Sequence, residues 1–371
     1  MSIIDRIKNQ KTWIRLFLLF LTILLLVYFL YLYRTENKLA YLLMKQDFIS
    51  KEEKEAALML KDKMIGRQGL ICQKIEQGKM MDAYLLESMG QVLEYADYTG
   101  NKELKDEVLK LIFKYFKTRE GYFSWQIYDG KPQKATALID ELRILKVLLR
   151  GERNKEDEYY IDVIKNSLYK FSLQGDRWVS FYDGRCGKKA GEIPLFYIDI
   201  EVMKKMADED NRFFKPFKQA EEVLMHAPLN EYGFFPQAYD YESEEYIYNS
   251  SVNMVEKILT NMHYFKNGGD IRQFIYFLQR EIDKGYIYNY YYYNSTPLEK
   301  VESTAVYALA CQLFMAIGDE VYADICYKKM LAFQIKEGDL KGGFGDLSSR
   351  TVYAYDQLEA LKTIRMKEGK R

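Results

Sequence analysis

The chain is short of histidine, tryptophan, proline and cysteine, and it has no excess charge of either sign. His226 and His263 are the only histidines. Two are too few for a histidine-based metal centre or for ready Ser-His chemistry, so no metal or cofactor is expected and any catalysis falls to carboxylates. Six prolines in 371 residues, beside 48% hydrophobic content, exclude a disordered chain and leave ample material for a core. The four cysteines (Cys72, Cys186, Cys311 and Cys326) match no zinc or redox spacing. Cys311 and Cys326 flank the Gly318 turn on consecutive expected helices, which leaves a disulfide open, although four lone buried thiols are the favoured reading. Lys plus Arg is 54 and Asp plus Glu is 54. A nucleic-acid binder would need a basic face, so that class of partner is excluded.

What the chain has in surplus is tyrosine: 33, with 21 phenylalanines. Tyrosine packs through its face and hydrogen-bonds through its hydroxyl, so the surplus suits both a core and a wet groove.

Residues 16–33 form an uncharged run with one polar residue, Thr22. At about 1.5 Å per residue it covers roughly 27 Å, close to a bilayer core. Arg6, Lys8, Lys11 and Arg15 precede it, against Asp5 alone. The positive-inside rule therefore predicts a cytoplasmic tip (1–15), a single-pass anchor (16–33), a juxtamembrane linker (34–50) and an extracellular remainder (51–371). A cleaved signal peptide is disfavoured, because Tyr-Leu-Tyr-Arg-Thr-Glu-Asn offers no small-residue cleavage site. Removing the four bases and one acid of residues 1–33 leaves 50 bases against 53 acids, a mildly acidic exported part.

That part reads as almost all helix, in a sixfold rhythm. Turns of glycine followed by aromatic or aliphatic residues recur at Gly69, Gly121, Gly175, Gly233, Gly285 and Gly343, spaced 52, 54, 58, 52 and 58 residues apart. Each turn precedes an expected inner helix, beginning near 83, 137, 196, 250, 302 and 351. All but the last are followed by a second helix, and the segment 52–65 is the expected partner of the last. A period of this length fits two helices plus loops. Amphipathic helices at both ends favour a closed ring over a capped solenoid. The expected architecture is an all-α (α/α)6 barrel, with the glycine turns and inner-helix N-termini gathered at one mouth. An all-helical two-domain chain is the structural alternative.

The first turns of the inner helices carry acids or amides. Capping explains most of these, but Glu87 and Asp140 are embedded in apolar residues. Paired carboxylates beside aromatic rings suit glycoside hydrolysis, in which one acid keeps its proton for the leaving oxygen and a second activates water. Tyr122, Phe123, Trp125, Trp178, Phe181 and Tyr182 on the mouth loops could stack on sugar rings, though Phe123 and Trp178 suit a core equally well. The tyrosine run 291–293 is expected to line the groove.

Several segments resemble family-8 glycoside hydrolases over residues 65–365. Leu86-Glu87-Ser88-Met89-Gly90 with Tyr95-Ala96 is similar to the segment that carries that family's general acid. Gly121-Tyr122-Phe123-Ser124-Trp125, Ala135-Thr136 with Asp140-Glu141-Leu142-Arg143-Ile144, and Tyr355-Asp356-Gln357-Leu358 match further family segments. The resemblance implies an (α/α)6 barrel and an inverting mechanism, with Glu87 as acid. Two departures stand out. Ile139 replaces the first acid of an Asp-x-Asp pair, and Ser250-Ser251-Val252-Asn253 lacks the carboxylate often used as base.

The base is then expected on the preceding loop, at Asp240, with Glu242, Glu244 and Glu245 as alternatives. Asp140, Tyr122, Trp125, Arg143, Tyr197 and Tyr353 are the expected substrate contacts. The resemblance to exopolysaccharide-associated Gram-positive members implies a membrane-anchored endo-acting hydrolase of a β-linked exopolysaccharide, alongside synthesis or export proteins. The missing acids leave a second reading, an inactive glycan-binding scaffold of that machinery. A lyase or epimerase on the same toroid is disfavoured by the scarcity of histidine.

Overall fold

A computed structural model describes residues 13, 16–27, 38–66 and 68–369. Its helices are α1 (Lys38–Met44), α2 (Lys51–Met59), α3 (Leu86–Thr99), α4 (Lys102–Tyr115), α5 (Leu138–Leu148), α6 (Lys155–Ser167), α7 (Ile200–Glu209), α8 (Phe214–Met225), α9 (Met254–Lys266), α10 (Arg272–Asp283), α11 (Thr304–Ile317), α12 (Glu320–Ala332) and α13 (Ala354–Glu368). Local chemistry sets their ends. The Asn101 side chain accepts from Leu104 N–H to start α4, and Asn154 with Asp157 forms a capping box on α6. Gly100 and Gly318 stop α3 and α11 in the left-handed conformation, where a side chain is costly.

The odd-numbered helices from α3 to α13 pack one on the next, and α13 returns to α3. This is the closed inner ring expected from the repeat, with α4, α6, α8, α10 and α12 outside it. The segment expected to close the circle does so. The α2 helix packs on α13, and its Glu53 joins both sides of the seam: Arg365 Nε donates to Oε1 at 2.8 Å and Tyr95 Oη donates to the same oxygen at 2.7 Å. Gln357 Nε2 donates to the Ala56 carbonyl at 2.9 Å.

Short strands stitch neighbouring repeats at the mouth. Ala83–Leu85 pairs with Gln126–Tyr128, Glu192–Pro194 with Ala238–Asp240, and Val252–Asn253 with Tyr290–Tyr291. Thr351–Tyr353 pairs with Lys74–Glu76, joining the last repeat to the first. These strands correct the expected helix starts. Residues before Leu86, Ile200, Met254 and Ala354 are held extended or in a short 3-10 turn, with ladder partners far away in sequence.

Five of the glycine turns have positive φ at the expected residue. In the sixth it falls on Gly342 rather than Gly343. Gly233 is also a close approach, since a Cβ there would lie 2.5 Å from the backbone nitrogen of Phe274.

The core fills the space between the two rings. Phe123 and Trp178 belong to it, Trp178 stacking on Phe213 at 5.8 Å. Of the tyrosine run, Tyr291 is buried with its hydroxyl on Glu281, Tyr292 is exposed, and Tyr293 is half-buried. The strand Tyr290–Tyr291 ends at the buried ring and the chain then turns, so the run is not uniformly groove lining. The four cysteines are free, and Cys186 is exposed rather than buried.

The expected linker is partly structured, because Leu39, Leu42 and Leu43 of α1 are buried and α1 packs on α4. Of the expected anchor, 16–27 is helical with exposed apolar side chains, and 28–33 lies outside the described residues. Among the described residues, no helix is long and apolar enough to cross a membrane.

Candidate active site

Glu87 stands in the first turn of α3 at the mouth. The helix start is fixed by Leu86 N–H, which donates to the Trp125 carbonyl at 2.9 Å. This bond brings the Trp125 backbone to the start of α3, and the Trp125 side chain is 37% exposed. Asp140 occupies the first turn of α5, the next inner helix, and is only 4% exposed. Arg143, one turn further along α5, reaches back across α3. Its Nη1 lies 3.6 Å from Glu87 Oε1 and donates to the Glu87 carbonyl at 3.5 Å. Gly90 makes room for this crossing, since a Cβ there would sit 3.0 Å from Arg143 Cδ.

Burial is the main cause that raises the Glu87 pKa. Arg143 opposes it, Glu359 adds to it, Lys362 opposes it and Glu94 adds to it. Asp140 is pushed well above the usual carboxylate range, first by burial and then by the Glu87 charge, against Arg143. The two groups therefore lie in one electrostatic cluster and hold protons more firmly than free carboxylates. Tyr197, in the 3-10 turn Leu195–Tyr197, faces this cluster: burial raises its phenol pKa, followed by Asp140, Glu87 and Glu256.

Beneath the pair, polar side chains line the ring axis. Lys362 Nζ donates to Glu94 at 2.9 Å and to Glu359 at 2.8 Å. Gln91 and Gln312 also donate to Glu359, at 3.0 and 2.9 Å. An axial cavity of about 140 Å³ is bordered by Arg143, Tyr197, Glu94, Glu359, Lys146 and His263. Further down, Lys146 Nζ donates to Asp199 at 2.7 Å, and burial pushes the His263 pKa down to about 4.

The remaining expected contacts divide. Tyr353 is exposed at the start of α13, with Lys74 Nζ 5.6 Å from its ring centroid. Tyr122 is a correction. It is buried against Phe171 at 5.3 Å and Tyr182 at 5.7 Å, so it offers no open face.

Asp240 is placed differently from expectation. It ends the strand Ala238–Asp240, and its Oδ1 accepts from Glu242 N–H at 2.8 Å and Ser243 N–H at 2.9 Å. Those bonds, the one from Ser243 first, hold its pKa down. The carboxylate thus shapes a hairpin corner, and no hydrogen bond or ion pair among the described residues joins it to Glu87 or Asp140.

Glu256 was not singled out from the sequence. It lies in the first turn of α9, across the ring from α3, and accepts from Gln237 Nε2 at 2.5 Å. Burial raises its pKa, and its charge reaches Tyr197. Asn253, at the position that lacks a base, caps α9 by accepting from Val255 N–H at 3.0 Å. Tyr355 and Glu359 were missed as well. Their signal was polar spacing of four and three residues along otherwise buried helices: Glu87, Gln91, Glu94 on α3 and Tyr355, Glu359, Lys362 on α13.

No family model matches the sequence. The candidate lipoprotein YdaJ of Bacillus subtilis is 26% identical over 289 residues, 74% of this chain and 77% of that one. Among solved structures, a novel alpha-amylase from Clostridium perfringens superposes with a TM-score of 0.78 at 24% identity, over 85% of this chain and 97% of that one. PssZ from Listeria monocytogenes superposes at 0.67, also with 24% identity, over 83% and 93%. A family-8 xylanase from Teredinibacter turnerae superposes at 0.60 with 12% identity, over 87% and 94%. D-mannose isomerase and cellobiose 2-epimerase of Spirochaeta thermophila share the fold, each at 0.63. The chain has the (α/α)6 fold of these solved structures, and its resemblance to family-8 glycoside hydrolases holds in three dimensions.

Proposed function

We propose that the protein is a glycoside hydrolase that cleaves within a glycan chain by an inverting mechanism. The observation that carries this reading is the Glu87, Asp140 and Arg143 cluster at the mouth, with the exposed Trp125 on the loop whose backbone meets the start of α3. Glu87, its pKa raised by burial, gives its proton to the departing glycosidic oxygen as the bond to the anomeric carbon breaks. A carboxylate on the far side takes a proton from the water that attacks that carbon. Asp140 donates to a sugar hydroxyl, and Tyr197 and Tyr353 contact the glycan.

Two acids compete for the role of base. Asp240 is the residue expected from the sequence, but its Oδ1 is engaged in the hairpin corner. Glu256, across the ring on α9, is favoured by position. Inversion calls for about 6.5–9.5 Å between the working carboxyl groups.

The substrate reading is a β-linked exopolysaccharide, processed outside a cell whose membrane holds residues 16–33. The basic residues before that run and the lipoprotein name of the Bacillus relative support anchoring. Synthesis or export proteins are the partners this implies. An α-linked glucan is the second reading, favoured by the amylase name of the Clostridium structure.

The test is reducing-end release by the full chain from cellohexaose, chitohexaose and maltohexaose, with NMR of the first anomer formed. Inverted product, lost in Glu87→Gln and in Glu256→Gln but kept in Asp240→Asn, is the expected pattern. Release that survives Glu87→Gln removes it as the acid. Binding with no release from any substrate supports the scaffold instead.

A further inference from the structure

A groove of about 400 Å³ lies beside the mouth, between the end of α4, the Gly121 turn and the hairpin of Gln126–Tyr128 with Lys131–Pro132. Its charged wall is Lys114, Lys117, Arg119 and Lys134 against Glu120 alone. None of the four bases has an ion pair or side-chain hydrogen bond among the described residues. Asp183, the other acid that acts on the neighbouring Tyr122, is taken up by Arg185 at 2.6 Å. The hairpin tip adds one charge of each sign, Asp129 and Lys131. Like charges held together without counterions repel one another, and an anion from outside relieves that repulsion.

The place of the groove relative to the N-terminal run follows from α4. Glu103, Glu107, Lys110 and Lys114 recur at steps of four, three and four residues, so they share one stripe of that helix. The α1 helix covers the acidic half: Lys45 Nζ is 2.9 Å from Glu103, and Lys38 Nζ is 2.5 Å from Glu107. The two helices are therefore antiparallel. The Lys38 end of α1, which follows the apolar run, points toward the basic half. The five residue steps from Tyr33 to Lys38 span at most about 18 Å. From Glu107 to Lys114 the helix rises only about 10 Å. A bilayer surface at the end of residues 16–33 thus comes within reach of the groove.

We propose that this groove docks on anionic lipid headgroups of the membrane that holds the N-terminal run, and so keeps the mouth close to the bilayer. A polybasic patch is a second membrane signal that adds to an apolar one. Headgroup phosphates supply the counterions that the four bases lack. Tyr128, exposed on the adjoining hairpin, has the amphipathic ring that suits headgroup depth. The proposal rests on the anchored reading of residues 16–33. It goes beyond that reading in fixing which side of the ring faces the lipid.

Cys186 provides a reporter near the groove: it is exposed while the other three cysteines are buried, and Gly184 N–H donates to the Lys134 carbonyl at 2.7 Å. The test is energy transfer from a dye on Cys186 to headgroup-labelled lipid. The full chain is reconstituted in phosphatidylcholine, or in an equal mixture with phosphatidylglycerol. Transfer should be higher in the charged bilayer, and high salt should remove the gain. Lys114→Gln, Lys117→Gln, Arg119→Gln and Lys134→Gln combined should also remove it, with the melting temperature unchanged because no ion pair is lost. Each base at an anionic surface strengthens attachment roughly fivefold, so the single variants should each lose part of the gain. Transfer that ignores lipid charge, or a gain that the quadruple variant retains, would overturn the proposal. So would binding of soluble polygalacturonate that the quadruple variant loses, with no response to lipid charge, since the groove would then serve an acidic glycan. Failure of the anchor reading looks different: the chain then does not float with phosphatidylcholine vesicles. Flotation with the charged vesicles decides the groove in that case, and it must be lost in the quadruple variant.

Discussion

Arg143 Nη1 lies 3.6 Å from the carboxylate of Glu87 and 3.5 Å from the carbonyl oxygen of the same residue. One guanidinium therefore holds both the start of α3 and the group proposed as general acid. Its charge is the strongest that opposes the effect of burial on Glu87, and the Glu359 charge is the strongest that assists it.

The pH profile of hydrolysis should report this balance. A general acid works only while protonated, so activity falls as pH rises through its pKa. Arg143→Met removes a cation and should move the alkaline limb to higher pH, with a lower kcat from lost positioning. Glu359→Gln removes an anion and should move it to lower pH. A pH-rate series on both variants checks the signs, and shifts in the same direction would contradict the assignment.

Gly90→Ala should act on the same guanidinium without touching any charge. The added Cβ would lie 3.0 Å from Arg143 Cδ, so the side chain must shift by a few tenths of an ångström. Ala is a better helix former than Gly, which favours stability by up to about 1 kcal/mol. A chain as stable as wild type, yet with several-fold lower kcat and a displaced alkaline limb, is the expected outcome. Unchanged kinetics would show that Arg143 placement is not critical.

Glu141 should make stability depend on pH. Burial lifts its pKa from 4.5 to about 8, against the hydrogen bond from Ser167 Oγ at 2.6 Å. In the folded chain the neutral acid persists while the unfolded chain ionises. The contribution is thus complete below pH 4.5 and is lost progressively as pH rises to about 8, on the order of a few kcal/mol in total. Thermal melts should show wild type losing more stability over that window than Glu141→Gln. Parallel pH profiles would refute this.

The ring seam should be a weak point when its charge balance is broken. Glu53 is completely buried and receives both Arg365 and Tyr95. Glu53→Ala leaves the guanidinium without its carboxylate, with only the Asp47 carbonyl still accepting from it at 2.8 Å, and should cost about 3–5 kcal/mol in denaturant unfolding. A cost below 1 kcal/mol would mean that solvent replaces the carboxylate at the seam.

How far the site was legible follows from the reach of each interaction. Glu87, Asp140 and Arg143 could be read because charged residues amid apolar helical neighbours are conspicuous at short range. Asp240 looked equally eligible, but an Asp two and three residues before free N–H groups can turn its carboxylate onto the backbone instead, as it does here. Tyr122 and Trp125 shared one motif and were separated by which side of the loop faces Phe171 and Tyr182. Glu256 gave little local sign, because its significance comes from lying across the ring from α3.

By itself, then, the sequence determined the sixfold helical repeat, the turn positions, the closing role of residues 52–65 and a carboxylate-based mouth. Periodicity and backbone sterics act within a few residues, so they leave a trace in any single chain. Tertiary structure alone decided the strand pairs that shift each inner helix start and the burial of Tyr122 and Tyr291. The strand pairs depend on partners some 40 to 280 residues apart, which only the folded ring brings together, whereas a short-range turn decides which of two eligible groups Asp240 meets.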